Sequence, residues 1–172
     1  MAAHHTSCVD NSLIQSAKDI VQALRRRGLS VVTAESCTAG LIAAVLSQVD
    51  GAGEVLQGGF VTYTKANKTM SLGVDASLLE HQGSVTADVV RQMAHGALLR
   101  SPADIALAVS GVLGPSPDED GNPVGLVFFG CGHRSGPITV TRRDYGEQPH
   151  DILRRRVVLD GLELLEHHMK RL

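Results

Sequence analysis

Aromatic side chains are scarce in this 172-residue chain, which has no Trp, two Tyr and three Phe. Aliphatic side chains must therefore fill any core, and a hydrophobic content of 43% is sufficient for a compact one. The chain also lacks a long apolar run and a signal-peptide pattern, so we expect a cytoplasmic protein with no membrane partner. Its length predicts a single domain, which we place over residues 11–172. Residues 1–10 show no helical or strand pattern, so we expect a loose tail there.

Strong charge patterns and metal-binding motifs are missing as well. The net charge is −2, and the arginine runs at 25–27 and 154–156 lie in helical patterns, so we expect no nucleic-acid partner. The three cysteines show no paired spacing, which favours reduced thiols. No histidine belongs to an H-x-H or H-E-x-x-H motif, so we expect neither a metal nor a cofactor. The acidic run at 118–122 lacks EF-hand spacing, and we interpret it as a solvated loop.

Helical and strand patterns alternate along the rest of the chain. Apolar residues recur with helical spacing in the longest segments, 11–27, 86–100 and about 149 to the C-terminus. Shorter helical patterns occupy 39–46, 64–71 and 76–81. Apolar runs predict strands at 31–33, 56–63, 105–110, 124–132 and 138–144, and a hairpin turn joins the last two. This order predicts a three-layer α/β/α sandwich around a mixed, mostly parallel sheet.

A sharp strand-to-helix turn follows the first strand and places a hydroxyl beside a thiol, at Ser36 and Cys37. The turn faces the unpaired N–H groups that begin the helix, where negative charge is favoured. The local pattern therefore allows a nucleophile or an anion site in this turn. It allows equally well that Ser36 or Thr38 simply caps the helix.

Three segments with reactive side chains follow predicted strands, at 35–38, 63–68 and 110–115. In open α/β sheets ligands bind at the carboxyl ends of strands, so these segments could form one site. A serine nucleophile needs a base, and Lys68 can be that base if desolvation or a neighbouring cation lowers its pKa. Tyr63 could relay the proton or fix the serine–lysine geometry. From the residues alone, a solvated lysine and a half-buried strand tyrosine are the more common roles.

Several motifs together resemble the CinA C-terminal domain family. They are T-A-E-S-C-T-A-G at 33–40, G-F-V-T-Y at 59–63 with Lys68 and L-G-V at 72–74, G-S-V at 83–85, S-G-V-L-G-P at 110–115 and P-V-G at 123–125. The resemblance runs from about Leu13 into the C-terminal helix and suits the stand-alone form of the domain. It implies a three-layer fold, a possible homo-oligomer and a small-molecule nucleotide substrate. The implied reaction deamidates nicotinamide mononucleotide to nicotinate mononucleotide and ammonia, in pyridine nucleotide recycling.

The resemblance also implies roles for particular residues. Ser36 would attack the carboxamide carbon, with Lys68 and Tyr63 handling its proton. Cys37 remains a rival nucleophile, because a thiolate at a helix N-terminus can have a lowered pKa. The expected substrate-binding residues are Glu35, Cys37, Thr38, Ala39, Gly40, Ser110, Gly111, Gly114, Arg154 and Arg155.

The chain departs from the family pattern in three places. Ala39 stands where a second glycine is usual, and its methyl could crowd a ligand or only add helix propensity. Lys65 replaces an amide, and it could lower the pKa of Lys68 by like-charge repulsion or displace a substrate contact. Residues 146–150 replace a Gly-Asp-Arg motif, which removes a candidate phosphate-binding arginine. Two alternatives stay open: a nucleotide-binding or regulatory module without turnover, and an amidase for a different small amide.

Overall fold

The structure, a computed structural model, describes residues 11–172, so the tail predicted at residues 1–10 lies outside the described residues. Its helices are α1 Asn11–Arg27, α2 Leu41–Ser47, α3 Ala52–Val55, α4 Lys65–Leu72, α5 Ala76–Gln82, α6 Ala87–Leu99 and α7 His150–Met169. Its strands are β1 Val31–Glu35, β2 Leu56–Val61, β3 Ile105–Gly111, β4 Leu126–His133 and β5 Thr139–Asp144. Among these described helices, none combines the length and the apolar content that a membrane crossing requires.

The strands form one sheet in the order β2-β1-β3-β4-β5. β1 pairs in parallel with both β2 and β3, whereas β4 is antiparallel to β3 and to β5. Within residues 11–172, β4 is thus the strand that reverses, and the other four run in one direction. The central strands β1 and β3 are buried along almost their whole length, as their continuous apolar runs predict.

Helices cover both faces of the sheet and complete the three layers that the sequence predicts. On one face α1, α2 and α7 pack against large aliphatic side chains such as Ile105 and Leu107. On the other face α4, α5 and α6 pack against a surface of small residues, including Ala106 and Ala108. Small residues let α6 lie close to the sheet: a Cβ on Gly130 would lie 2.7 Å from the carbonyl oxygen of Val90. The prediction of an α/β sandwich with a mixed sheet is confirmed.

Candidate active site

The carboxyl ends of β1, β2 and β3 meet at one edge of the sheet, and a cleft of about 320 Å³ opens there. The cleft is lined by Ser36, Cys37, Tyr63, Ser84, Val85, Gly111, Val112, Leu113, Gly114, Ser116, Asp118, Glu119 and His150. A larger cavity, of about 590 Å³, lies between β5 and α7, and the residues around it include none of the predicted site residues. Predicted site residues therefore line the smaller cleft, which lies in the position that ligands take in α/β sheets.

Lys68 and Ser36 bring an amine and a hydroxyl together at the edge of this cleft. Lys68 lies on the inner face of α4, one turn before Leu72, and its side chain is fully buried. Its Nζ lies 2.9 Å from the Oγ of Ser36 and 2.9 Å from the carbonyl oxygen of Thr62. The carbonyl oxygen of Tyr63 is a third, longer contact at 3.4 Å. The common role of a solvated lysine is thus wrong for Lys68.

Burial lowers the pKa of Lys68 to about 8, because desolvation disfavours the ammonium form. A neutral amine keeps two N–H bonds, and the carbonyl oxygens of Thr62 and Tyr63 can accept both. The amine's lone pair is then left for the hydroxyl of Ser36, which is the arrangement that a general base needs.

Lys65 does not lower the pKa of Lys68, although the sequence allowed that role. The Nζ of Lys65 lies 2.6 Å from Asp120 and 3.1 Å from Glu119, and hydrogen bonds to these carboxylates raise its own pKa. The neighbouring cation is thus neutralised by the loop after β3. Desolvation is the main cause of the shift at Lys68.

The same contacts fasten the loop that forms one wall of the cleft. Asp120 accepts hydrogen bonds from Lys65 in α4 and from the backbone N–H of Ser84. Asp118 closes the loop on itself by accepting from the backbone N–H groups of Asp120 and Asn122. The acidic run is exposed at Glu119 and Asp120, as expected for a solvated loop, and the hydrogen bonds of Asp118 and Asp120 also fix its shape.

Cys37 lines the cleft beside Ser36, but its thiol is a poor candidate for the nucleophile. Burial raises the pKa of Cys37 to about 12, and the lowering effect of nearby Lys68 is smaller. The side chain therefore stays a neutral thiol near pH 7, whereas nucleophilic attack needs the thiolate. Cys37 and Cys131, the two cysteines among residues 11–172, are both buried and form no disulfide.

Glu35 occupies the start of α2, so this helix terminus is not open to a substrate anion. The side chain is fully buried, and its carboxylate accepts hydrogen bonds from the hydroxyls of Thr33 and Thr38. It also accepts from the backbone N–H groups of Ile42 and Ala43, the second and third residues of the helix. The structure thus places Glu35 and Thr38 beneath the turn, away from the cleft lining.

The helix begins two residues later than the sequence predicts. Gly40 is its N-cap, with φ +89° and no side-chain cap, so the capping roles considered for Ser36 and Thr38 are wrong. Ala39 is exposed and also has a left-handed backbone, with φ +52°. It precedes the helix and does not line the cleft, so its methyl neither adds helix propensity nor crowds that cavity.

The remaining predicted residues divide between the cleft and its supports. Gly111 and Gly114 line the cleft. Ser110 is buried behind the wall, where its hydroxyl donates to the carbonyl oxygen of Ser84 at 2.7 Å. Arg154 and Arg155 lie in α7 outside the lining, and Arg155 donates to the hydroxyl of Ser12.

Tyr63 and His150 are the two ring side chains of the lining. The ring of Tyr63 is exposed, and none of the hydrogen bonds described for residues 11–172 joins its hydroxyl to Ser36 or Lys68. His150 is the first residue of α7, and reasoning from the sequence missed it. The difference from the family pattern at residues 146–150 could have pointed to His150, because this segment leads into the start of α7 beside the cleft.

Comparison with known proteins gives relatives along nearly the whole described chain. The family model of the CinA C-terminal domain matches residues 13–169. The nicotinamide-nucleotide amidohydrolase PncC of Escherichia coli (strain K12) is 37% identical over 156 residues, 91% of this chain and 94% of that protein. A putative competence-damage inducible protein of Caldicellulosiruptor saccharolyticus is 42% identical over 71% of this chain and 29% of its own. The crystal structure of competence/damage inducible protein CihA from Agrobacterium tumefaciens has a TM-score of 0.88 and 39% identity, covering 92% of this chain and 96% of that chain.

Proposed function

Because this chain belongs to the CinA C-terminal domain family, we propose that it is an amidohydrolase that converts nicotinamide mononucleotide to nicotinate mononucleotide and ammonia. The observation that carries the proposal is the 2.9 Å contact between the buried amine of Lys68 and the hydroxyl of Ser36 at the edge of a cleft. The substrate comes from the name of the Escherichia coli relative. The lowered pKa of Lys68 supports its use as the base near neutral pH.

In the first half-reaction, the Oγ of Ser36 bonds to the carboxamide carbon while its proton passes to the Nζ of Lys68. The tetrahedral intermediate then collapses, Lys68 returns the proton to the amide nitrogen, and the C–N bond breaks. Ammonia leaves and an acyl ester remains on Ser36. In the second half, water attacks the ester carbon as Lys68 accepts a proton from it. The ester bond breaks, Lys68 returns the proton to Ser36, and the carboxylic acid product is released and loses its remaining proton to water.

The negative charge that develops on the carbonyl oxygen needs donors near Ser36. The N–H groups of Ile42 and Ala43 are already taken by Glu35. The backbone N–H groups of Cys37 and Thr38 lie in the turn itself, and both also act to lower the pKa of the Cys37 thiol. We assign the stabilisation of the oxyanion to these two groups, which directly follow the nucleophile.

Tyr63 acts on the substrate rather than on Ser36 in this proposal. Its ring lines the cleft and is 66% exposed, so a bound nucleotide can cover it. Its backbone carbonyl, by contrast, orients the amine of Lys68. Tyr63→Phe should therefore change KM more than kcat.

The test is the release of ammonia and nicotinate mononucleotide from nicotinamide mononucleotide by wild type, Ser36→Ala, Lys68→Met and Cys37→Ala. We expect a loss of about 10³-fold or more in kcat for the first two variants and a change of only a few-fold for Cys37→Ala. Activity that disappears only in Cys37→Ala would assign the nucleophile to the thiol. Folded wild type that binds the nucleotide without releasing ammonia would be a binding module, and turnover confined to other amides would identify a different substrate.

A further inference from the structure

We infer that Glu35 is a positioning residue for Ser36: its buried carboxylate fixes the turn that holds the nucleophile at hydrogen-bond distance from Lys68. The inference rests on the proposed function, because it concerns the attacking group of that reaction. It assigns Glu35 a part in turnover without contact to substrate. The side chain is fully buried and does not line the cleft.

The hydrogen bonds around Glu35 are those of an ionised carboxylate. One oxygen, Oε1, accepts from the Thr33 hydroxyl at 2.9 Å and from the N–H of Ala43 at 2.9 Å. The other, Oε2, accepts from the Thr38 hydroxyl at 2.7 Å and from the N–H of Ile42 at 3.0 Å. All four partners serve as donors here. An amide in this place would turn its NH₂ group against one backbone N–H, and the threonine hydroxyl on that side would have to rotate to accept. Charge-assisted hydrogen bonds of this kind are also stronger than neutral ones.

These donors lie on both sides of the nucleophile. Thr33 belongs to β1, before Ser36, whereas Thr38 lies within the turn and Ile42 within α2. Glu35 therefore ties the strand, the turn and the helix together around Ser36. The left-handed backbone at Ala39 is held inside this closed segment.

Lys68, the other member of the reactive pair, is held in place by groups other than the four donors to the Glu35 carboxylate. Lys68 is carried by α4, and its amine contacts the carbonyl oxygens of Thr62 and Tyr63. The far walls of the cleft come from other elements again, with Ser84 before α6 and His150 at the start of α7. Loosening Glu35 should thus displace Ser36 relative to Lys68 while leaving most substrate contacts in place.

The first test is the kinetics of Glu35→Gln on nicotinamide mononucleotide, with the folded fraction measured by circular dichroism. We expect kcat to fall by about 10²-fold, because small misplacements of reacting groups have effects of that size. KM should change by no more than about twofold, since the cleft walls are unchanged. A kcat within about twofold of wild type in folded Glu35→Gln would overturn the inference.

Thr38→Val and Thr33→Val form a matched pair if Glu35→Gln does not fold. Each removes one buried hydroxyl donor from Glu35, but only Thr38 belongs to the turn that carries Ser36. We expect similar losses of stability, with kcat lowered about tenfold by Thr38→Val and no more than about twofold by Thr33→Val. Equal effects of the two variants on kcat would show that Glu35 stabilises the fold without positioning Ser36.

A second readout separates this inference from the choice of substrate. Diisopropyl fluorophosphate phosphorylates an activated serine: the Ser36 oxygen–phosphorus bond forms, fluoride leaves, and Lys68 takes the hydroxyl proton. Labelling of Ser36 should be fastest in wild type, slower in Thr38→Val and slowest in Glu35→Gln. If wild type does not hydrolyse the nucleotide but this order holds, the proposed function fails and the role of Glu35 stands. Equal labelling rates in all three folded proteins would overturn the role of Glu35.

Discussion

A buried amine with a pKa of about 8 makes the proposed reaction depend on pH. Burial disfavours the ammonium form of Lys68, and only the neutral amine can take the proton of Ser36. We therefore expect kcat/KM to rise about tenfold per pH unit below pH 8 and to level off above it. A pH–rate profile with nicotinamide mononucleotide measures this directly.

The Cys37→Ala variant is the control for that profile, because the pKa of the Cys37 thiol lies near 12. The rise in kcat/KM near pH 8 should persist in this variant. A rise that vanished would assign the titrating group to the thiol.

The free energy of unfolding should also increase with pH. Since the pKa of Lys68 is lower in the folded chain, the unfolded chain binds more protons between pH 8 and about 10.5, and stability increases with pH across that window.

Ala39 places a methyl group where the backbone favours glycine. Its φ is +52°, a conformation that costs a non-glycine residue roughly 1–2 kcal/mol. Ala39→Gly removes that cost but adds chain entropy to the unfolded state, so we expect a net gain of about 0.5–1 kcal/mol in the free energy of unfolding. Urea denaturation measures the change, and activity should stay the same because Ala39 does not line the cleft.

Ala44→Gly is the matched control, since Ala44 is also exposed but lies inside helix α2. There the glycine should lower the free energy of unfolding by about 1 kcal/mol. If Ala39→Gly were destabilising by a similar amount, the left-handed backbone at Ala39 would carry no strain.

Glu35 and Lys68 show how far the sequence predicts the roles of individual site residues. The sequence predicts Ser36 and Lys68 as partners, but it assigns Glu35 to the substrate. Fully buried charged side chains are rare, so a charged residue in a sequence is normally given to solvent or to a ligand. The donors that hold the buried carboxylate of Glu35 come from a strand, a turn and a helix, and they converge only in the folded chain.

At the scale of elements, α6 packs closely against the end of α4 at Gly96. A Cβ on Gly96 would lie 2.0 Å from the carbonyl oxygen of Leu72, so one helix must move to accept a side chain. We expect Gly96→Ala to lower the free energy of unfolding by about 1–3 kcal/mol or more. It should also lower kcat, because α4 carries Lys68. Urea denaturation and steady-state kinetics measure the two effects.

Gly53→Ala provides the matched comparison for Gly96→Ala. Gly53 lies in the short helix α3, and nothing lies within 4 Å of the place where its Cβ would stand. Alanine there should be neutral or stabilising by up to about 1 kcal/mol. The contact between α4 and α6 would be dispensable if both alanine variants behaved alike.

Length decides which elements the sequence predicts. α1 and α6 show several turns of helical spacing, and Thr86 caps α6 as its position suggests. The helix α3 has four residues, too few to show a helical period, so the sequence pattern does not predict it. β2 was expected to run to Tyr63 because residues 60–63 favour strands, but it ends at Val61. Thr64 then caps α4 by accepting from the N–H of Asn67.

At the scale of the whole molecule, the sandwich determines which distant residues become neighbours. Alternating patterns predict the layers, and the hairpin predicts that the sheet is mixed. The pairing of β1 with β3 could not be derived from those patterns, since it joins segments that are remote in the chain. That pairing, with the parallel pairing of β2, places Ser36 and Lys68 at the same edge of the sheet.

The place of β1 between β2 and β3 has a consequence for the nascent chain. On the ribosome β2 is available soon after β1, but β3 is made roughly 70 residues after β1, several seconds later at ordinary rates of synthesis. Through that interval one edge of β1, with its apolar Val31 and Val32, has no strand to pair with. Open apolar edges are where chains join one another, so we expect the unfinished chain to associate more readily before β3 has been made than after β3 has paired with β1.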